Sequence, residues 1–342
     1  MIIWSIETSC DETALAVVEA SGGLRAPKFK VLRSVVSSQI EIHRPFGGVV
    51  PNLAKREHLK NLPILFEELK KDGFDLKKAG LLAVTVGPGL EPALWTGVNF
   101  AKELAKKYKK PLIGVNHLEG HIYSFLLSKN APLLKMKDVF PAIALLVSGG
   151  HTMILKMESI KKWRKMGETR DDAVGEAYDK VARLLELPYP GGPEIERVSA
   201  IGSGDAIRFP RPMLDQKNYD FSFSGLKTAV LYRLRDYPAK KEKEKADVAA
   251  SFQEAAVEVL AKKTMRAAET TKAKSIILSG GVAANQRLRE ALKEEAKKRK
   301  IKFLAPEMCF NTDNAAMVAA AAYVAELRGK KRRLTAQANL SI

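Results

Sequence analysis

Residues 2–19 and 142–157 both run as apolar strand, small polar turn, apolar strand, and this repetition constrains the fold more than any other feature of the chain. In the first copy the turn is Glu7-Thr8-Ser9-Cys10-Asp11-Glu12-Thr13; in the second it is Ser148-Gly149-Gly150-His151-Thr152. A strand–turn–strand unit opening each half predicts an internal duplication. The polar, proline-bearing stretch 128–141 marks the divide, which predicts domains at 1–135 and 136–342. Between the hairpins, strands alternate with helices. The apolar run 81–86 closes on Gly87-Pro88-Gly89, and Leu94, Val98, Ala101, Ala105 and Tyr108 then recur at helical spacing. A strand at 112–115 follows. In the second half Val174, Tyr178, Val181 and Leu185 mark a helix, and 248–270 a longer one. A strand at 275–278 passes through Ser279-Gly280-Gly281 into a helix from about Asn285, and Asp313-Asn314 caps the last major helix. Such alternation in both halves gives the α/β class, with helices on the sheet faces.

The 342 residues are 46% hydrophobic, enough for sizeable cores, and carry a formal charge of +18. That excess favours a polyanionic partner such as nucleic acid. Its basic runs are scattered (106–110, 161–165, 240–245, 293–300 and 330–333), so charge alone marks no single groove. Only Cys10 and Cys309 occur, which excludes a disulfide framework or a thiolate zinc set. The N-terminal apolar run stops at Glu7 without a basic lead-in, and no stretch approaches the roughly 18 apolar residues of a membrane helix. A reduced, cytoplasmic protein with no membrane partner is expected.

His117 and His121 stand four apart, so on a helix both imidazoles face the same way and could share one metal ion. They could equally be core histidines bonded to Asn116 and Glu119. A metal needs a third ligand, for which Asp313 is a candidate, although a capping aspartate would explain that position as well. Leu118 stands where a zinc protease of the HExxH type needs its general-base glutamate, which excludes that class. Ser148-Gly149-Gly150 could be an ordinary hairpin turn or a set of bare backbone N–H groups facing phosphate. Ser279-Gly280-Gly281 is the better phosphate candidate, because a helix begins just after it. Neither loop fits GxxxxGK[ST] or GxGxxG, which excludes P-loop and dinucleotide folds. Glu7, Asp11 and Glu12 cluster in the first turn, as loop caps or as groups orienting a reaction. No basic neighbour activates Cys10, which reads as structural. Asp179 lies beside the apolar seam of its helix and could grip a ligand hydroxyl. The loop 189–193 is rigid and open to a flat ligand, or simply a helix stop.

Taken in order along the chain, several motifs form a specific set: Ile6-Glu7-Thr8-Ser9-Cys10-Asp11-Glu12-Thr13, Gly47-Gly48-Val49-Val50-Pro51, Gly87-Pro88-Gly89-Leu90 and residues 117–121. Residues 146–152, 189–193, 221–228, 279–285 and Asn311-Thr312-Asp313-Asn314 complete it. Together they resemble the TsaD/Gcp family of tRNA threonylcarbamoyladenosine-modification proteins. The resemblance implies the actin-like ATPase fold, two duplicated ribonuclease-H-like domains around a nucleotide cleft. It implies transfer of a threonylcarbamoyl group from threonylcarbamoyl-AMP to N6 of adenosine 37 in tRNAs reading ANN codons, with release of AMP. It implies one divalent metal, iron(II) or alternatively zinc, on His117, His121 and Asp313, and an adenine nucleotide (threonylcarbamoyl-AMP or ATP). Leu146, Val147, Ser148, Gly149 and Gly150 match the phosphate and acyl segment, Asp179 the ribose contact, and Gly192 the glycine under the adenosine. Asn285 matches another nucleotide contact and Glu196 a ribose-binding acid of archaeal members. The partners implied are tRNA, a TsaB-like paralogue and a TsaE-like ATPase, or KEOPS subunits in archaea. Leu146 replaces the tyrosine usual in archaeal and eukaryotic members, which places the chain nearer the bacterial branch, although residues 334–342 lack the usual bacterial Arg-Trp-Pro-Leu ending. Asp11 and Glu12 are the candidates for accepting the amine proton. The rival functions are a small-molecule carbamoyltransferase of the same fold and a non-catalytic scaffold. The first normally carries additional domains, and the second loses the metal histidines that are intact here.

Overall fold

The computed structural model describes residues 1–330 and 332–342; Lys331, within the basic run 330–333, lies outside them. Among the described residues, ten strands form two five-stranded sheets. The first holds β1 (Ile2–Glu7), β2 (Glu12–Ser21), β3 (Lys28–Ser38), β4 (Leu81–Gly87) and β5 (Leu112–Asn116), in the order β3-β2-β1-β4-β5. The second holds β6 (Ala142–Val147), β7 (Thr152–Ser159), β8 (Lys162–Glu168), β9 (Ser275–Ser279) and β10 (Lys302–Leu304), in the order β10-β9-β6-β7-β8. Read from its β8 edge, the second sheet repeats the first strand for strand. In both, the opening hairpin is antiparallel (β1–β2, β6–β7) and the next strand on the other side is parallel (β1–β4, β6–β9). This is the duplication expected from residues 2–19 and 142–157, in the actin-like ATPase fold. β4, β6 and β9 are buried at every residue, as parallel strands covered on both faces must be.

Eleven α-helices are described: α1 (Ile40–His43), α2 (Pro51–Lys71), α3 (Glu91–Tyr108), α4 (His117–Tyr123), α5 (Met136–Val139), α6 (Val174–Leu184), α7 (Gly191–Ser199), α8 (Ser224–Asp236), α9 (Glu242–Thr270), α10 (Gln286–Lys298) and α11 (Ala315–Leu327). α2 buries Ala54, His58, Leu62, Leu65, Phe66 and Leu69, spaced along one helical face, against α3 and β2. α9 starts at Glu242 rather than near 248, because the Glu244 carboxylate accepts from the otherwise orphaned N–H groups of Lys240 (2.9 Å) and Lys241 (3.0 Å). Among the described residues, no helix is long and apolar enough to cross a membrane.

Two compact units result. One comprises residues 1–137 and 306–342, the other residues 138–305. The cut near 137 lies close to the expected one, but the division differs from the expected 136–342 at its far end, since 306–342 returns to the first unit. The reason is α11. Its sequence AAMVAAAAYVAEL is apolar on every side, so it must be enclosed, and β1, β2, β5 and α4 enclose it.

Candidate functional site

In the first unit, β5 runs directly into α4. Asn116 ends the strand and caps the helix, its Oδ1 accepting from Leu118 N (2.8 Å) and Glu119 N (3.3 Å). His117 and His121 are therefore the first and fifth residues of a helix whose start is fixed. Their rings lie 4.7 Å apart at 86°. Asp313 reaches both from the loop before α11: its Oδ1 is 3.1 Å from His121 Nε2 and 3.5 Å from His117 Nε2. One ligand atom from each of the three residues falls within 4.8 Å of the others. The cap of α11 is Asn314, whose Oδ1 accepts from Met317 N at 2.9 Å. The helix cap is therefore made by Asn314, while Asp313 stands beside the histidines.

Behind the histidines stands Glu7, fully buried at the end of β1. Its Oε2 lies 3.1 Å from His117 Nδ1 and accepts from Thr85 Oγ1 at 2.7 Å; its Oε1 accepts from Ser9 N at 2.7 Å. Ser9 Oγ is also 3.1 Å from His117 Nδ1. Such a carboxylate fixes a ring with Nδ1 backward and Nε2 forward, as metal-ligating histidines require. The two buried imidazoles respond differently. Burial disfavours charge on His117, but the Asp313 and Glu7 carboxylates outweigh it and raise His117 to about 9. For His121, burial dominates and the neighbouring His117 adds repulsion, so it is lowered and stays neutral despite its bond to Asp313. The site thus demands one positive charge between His117 and Asp313, a demand that a divalent cation meets as a proton does. Two imidazole nitrogens and one carboxylate oxygen suit a transition metal rather than magnesium or calcium. The residues fit a metal.

The acidic turn lies in the same unit. Burial, with repulsion from Asp313 and Asp11, pushes the Glu12 carboxyl well above its ordinary value. The Cys10 thiol is pushed up by burial and by Asp11, Asp313 and Glu12, so it stays protonated, consistent with a structural cysteine.

The second unit gathers the other candidates around the C-terminal ends of the parallel strands β6 and β9, where ligands of α/β sheets bind. Leu146 and Val147 are fully buried, so they offer a ligand only backbone. The hairpin closes on itself, Ser148 N donating to His151 O (2.8 Å) and His151 N to Ser148 Oγ (3.1 Å). Gly149 and Gly150 face open space: a Cβ on either would meet nothing within 4 Å. Gly280 has φ +93°, and a Cβ there would stand 2.3 Å from Val147 O, so the two glycine turns lie side by side. Asp179 on α6 accepts from Gly191 N at 2.7 Å, orienting the start of α7, and Gly192 beside it is open. Glu196 accepts from Gln286 N at 2.6 Å, and burial raises its carboxyl. Asn285 caps α10 through Leu288 N (2.9 Å) and donates to Gln253 Oε1 (2.7 Å). Asp179, Glu196 and Asn285 therefore hold the loops together as well as facing them.

Glu7 as the group that orients His117, together with Thr85 and Ser9, carries no local sequence signal: Thr85 is one buried residue in an apolar strand, and its meaning appears only when β4 is laid beside β1.

The family model for "TsaD: tRNA N6-adenosine threonylcarbamoyltransferase" matches residues 30–320. A tRNA N6-adenosine threonylcarbamoyltransferase of Thermosipho melanesiensis is 51% identical over 325 residues, covering 94% of each chain. One of Thermosipho africanus is 49% identical over 345 residues, covering both chains completely. Among solved structures, full-length HypF in its phosphate- and nucleotide-bound form superposes with a TM-score of 0.59 at 14% identity, over 98% of this chain and 47% of HypF. At that identity the likeness concerns the fold.

Proposed function

The chain belongs to the tRNA N6-adenosine threonylcarbamoyltransferase family, and from that premise we propose how its residues divide the work of placing a threonylcarbamoyl group on N6 of adenosine 37 in tRNA. The donor is threonylcarbamoyl-AMP, the acceptors are tRNAs reading ANN codons, and AMP leaves. The observation that carries this reading is the convergence of His117, His121 and Asp313, in a chain that matches the family along most of its length.

His117, His121 and Asp313 hold one divalent ion, iron(II) or alternatively zinc, with Glu7 orienting His117. When bound, that ion would supply Lewis-acid polarisation of the donor's mixed anhydride. In the second unit the backbone of Leu146, Val147, Ser148, Gly149 and Gly150 takes the phosphate and acyl portion. Asp179 and Glu196 take the ribose, while Gly192 and Asn285 take the adenosine. The adenine amine attacks the carbamoyl carbon, the bond to the phosphate oxygen breaks, and Asp11 accepts the amine proton. Glu12, the next residue, is the second carboxyl that can take that proton. The accessory partners are a TsaB-like paralogue and a TsaE-like ATPase, and the setting is cytoplasmic.

The test mixes the chain, threonylcarbamoyl-AMP and unmodified tRNA, with and without those partners, and reads the modified nucleoside by mass spectrometry. Asp11→Asn is expected to abolish transfer while leaving adenylate binding intact. Unchanged transfer by that variant would remove Asp11 from the reaction.

A further inference from the structure

Two of the chain's five histidines, His43 and His58, are fully buried in the first unit yet stand outside the site described above. They form a hydrogen-bonded series whose direction is set at its outer end. Val50 N–H can only donate, so His43 Nδ1 accepts (3.3 Å). The His43 proton then lies on Nε2 and is donated to Gln39 Oε1 (3.1 Å). That leaves the Gln39 amide nitrogen to donate to His58 Nδ1 (3.3 Å), which also accepts the Thr13 hydroxyl (2.8 Å). His58 in turn carries its proton on Nε2 and donates it to the carbonyl of Cys10 (3.0 Å). Burial lowers His58 and so favours its neutral form.

The series ends on the acidic turn. Gln39 N donates to the Asp11 carbonyl (2.9 Å), and Leu90 N to the Ser9 carbonyl (2.8 Å). Three successive carbonyls, those of Ser9, Cys10 and Asp11, are thereby held by three different parts of the unit. A packed face that already buries Leu62, Leu65 and Leu69 could take another leucine at 58. A buried imidazole there is costly unless its two nitrogens are used, and both are spent on holding the turn.

We propose that His58, backed by Gln39 and His43, is a positioning residue for the transfer reaction: it fixes the backbone of the Cys10-Asp11 turn so that the Asp11 and Glu12 carboxyls are held in place for the amine proton. This rests on the reading that the turn serves proton transfer. His58→Phe keeps a ring and loses all three bonds, whereas His58→Gln restores one donor and one acceptor. In the transfer assay, with the accessory proteins that support the wild-type chain, His58→Phe is expected to lose about 10- to 100-fold in kcat. Its KM for threonylcarbamoyl-AMP should stay within about twofold, which a general loss of structure would not give. Metal content should match wild type, and His58→Gln should recover most of the lost rate. Gln39→Met, which cuts the series one step earlier, should lower kcat in the same way and serves if His58→Phe does not fold. The proposal is overturned by wild-type kcat in whichever of these variants folds, by loss of metal in parallel with rate, or by failure of His58→Gln to recover. If Asp11→Asn is inactive while His58→Phe and Gln39→Met turn over normally, only the positioning role falls. Should Asp11→Asn and Glu12→Gln both retain full activity, the reading of the turn beneath it falls too.

Discussion

Glu7 and Asp313 are both carboxylates beside His117, yet they face different nitrogens and differ in consequence. Asp313 shares the Nε2 side, where a cation would bind directly; Glu7 holds the Nδ1 side and is itself held by Thr85 and Ser9. Glu7→Gln keeps the shape of the side chain but removes the charge that aligns the ring. It is expected to weaken metal binding by about 10- to 100-fold, the usual cost of losing such an outer partner. Asp313→Asn removes a ligand and should weaken binding further, with competition against a chelator of known affinity ranking the two variants. Lys263 offers a separate test. Its side chain is 0% exposed, its ammonium donates to the carbonyls of Asn218 and Asp220, and it lies 5.8 Å from the centre of the Phe221 ring. Burial, with repulsion from Arg266, lowers it to about 8. The unfolded chain binds this proton more tightly than the folded one, so Lys263 costs stability below pH 8. That cost is recovered as pH rises from about 8 to 10.5, by roughly 3 kcal/mol at most. Urea unfolding across this range should show the wild type gaining relative to Lys263→Met; equal pH slopes would count against a buried, charged lysine.

At the scale of elements, the site depends on where helices begin. α4 begins at Asn116 and α11 at Asn314, each asparagine accepting from N–H groups of the first turn. Asn314→Ala should therefore cost about 1 kcal/mol through the lost cap, a loss that thermal unfolding would resolve. From sequence, Asp313 and Asn314 were equal candidates for that cap. They were separated only by the backbone, which turns the Asn314 side chain onto Met317 N and leaves Asp313 beside the histidines. The histidine pair was legible because the i, i+4 spacing is local, and the glycine turns because a hairpin must close. α2 is hard to read from sequence, although its buried positions keep helical spacing, because exposed Leu59 and Ile64 blur the apolar stripe. β3 and β8 are edge strands, exposed at many positions and charged, so the alternation that announces a strand was weak. Thr85, Ser9 and the His43–His58 series could not be read at all. Thr85 meets Glu7, Ser9 meets His117, and His58 meets Thr13 and Cys10 only once elements far apart in sequence pack together.

For the molecule as a whole, duplication explains the fold and charge bears on the substrate. The matching strand orders mean that one hairpin-and-crossover plan is used twice, once to carry the histidines and once to carry the glycine turns. The plan fails as a guide only at 306–342, where α11 is too apolar to stand anywhere but inside the first unit. Across the chain, 57 lysines and arginines face 39 aspartates and glutamates. Many of these cations are exposed and paired with nearby carboxylates, as in Lys70–Glu67 or Lys162–Glu158, pairs that add little to stability. The excess is better understood through tRNA, whose phosphates release counterions when lysine and arginine replace them. If only three or four phosphates are neutralised, raising salt from 50 to 200 mM should weaken tRNA binding by about tenfold or more. On the proposed reading threonylcarbamoyl-AMP is held by backbone N–H groups and a few side chains, so its affinity should change far less over the same range. Titrating both ligands at several salt concentrations separates the two. A steep slope for tRNA with a shallow one for the adenylate assigns the basic excess to the polyanion, and equal slopes would mean that the lysines serve only to keep the chain in solution.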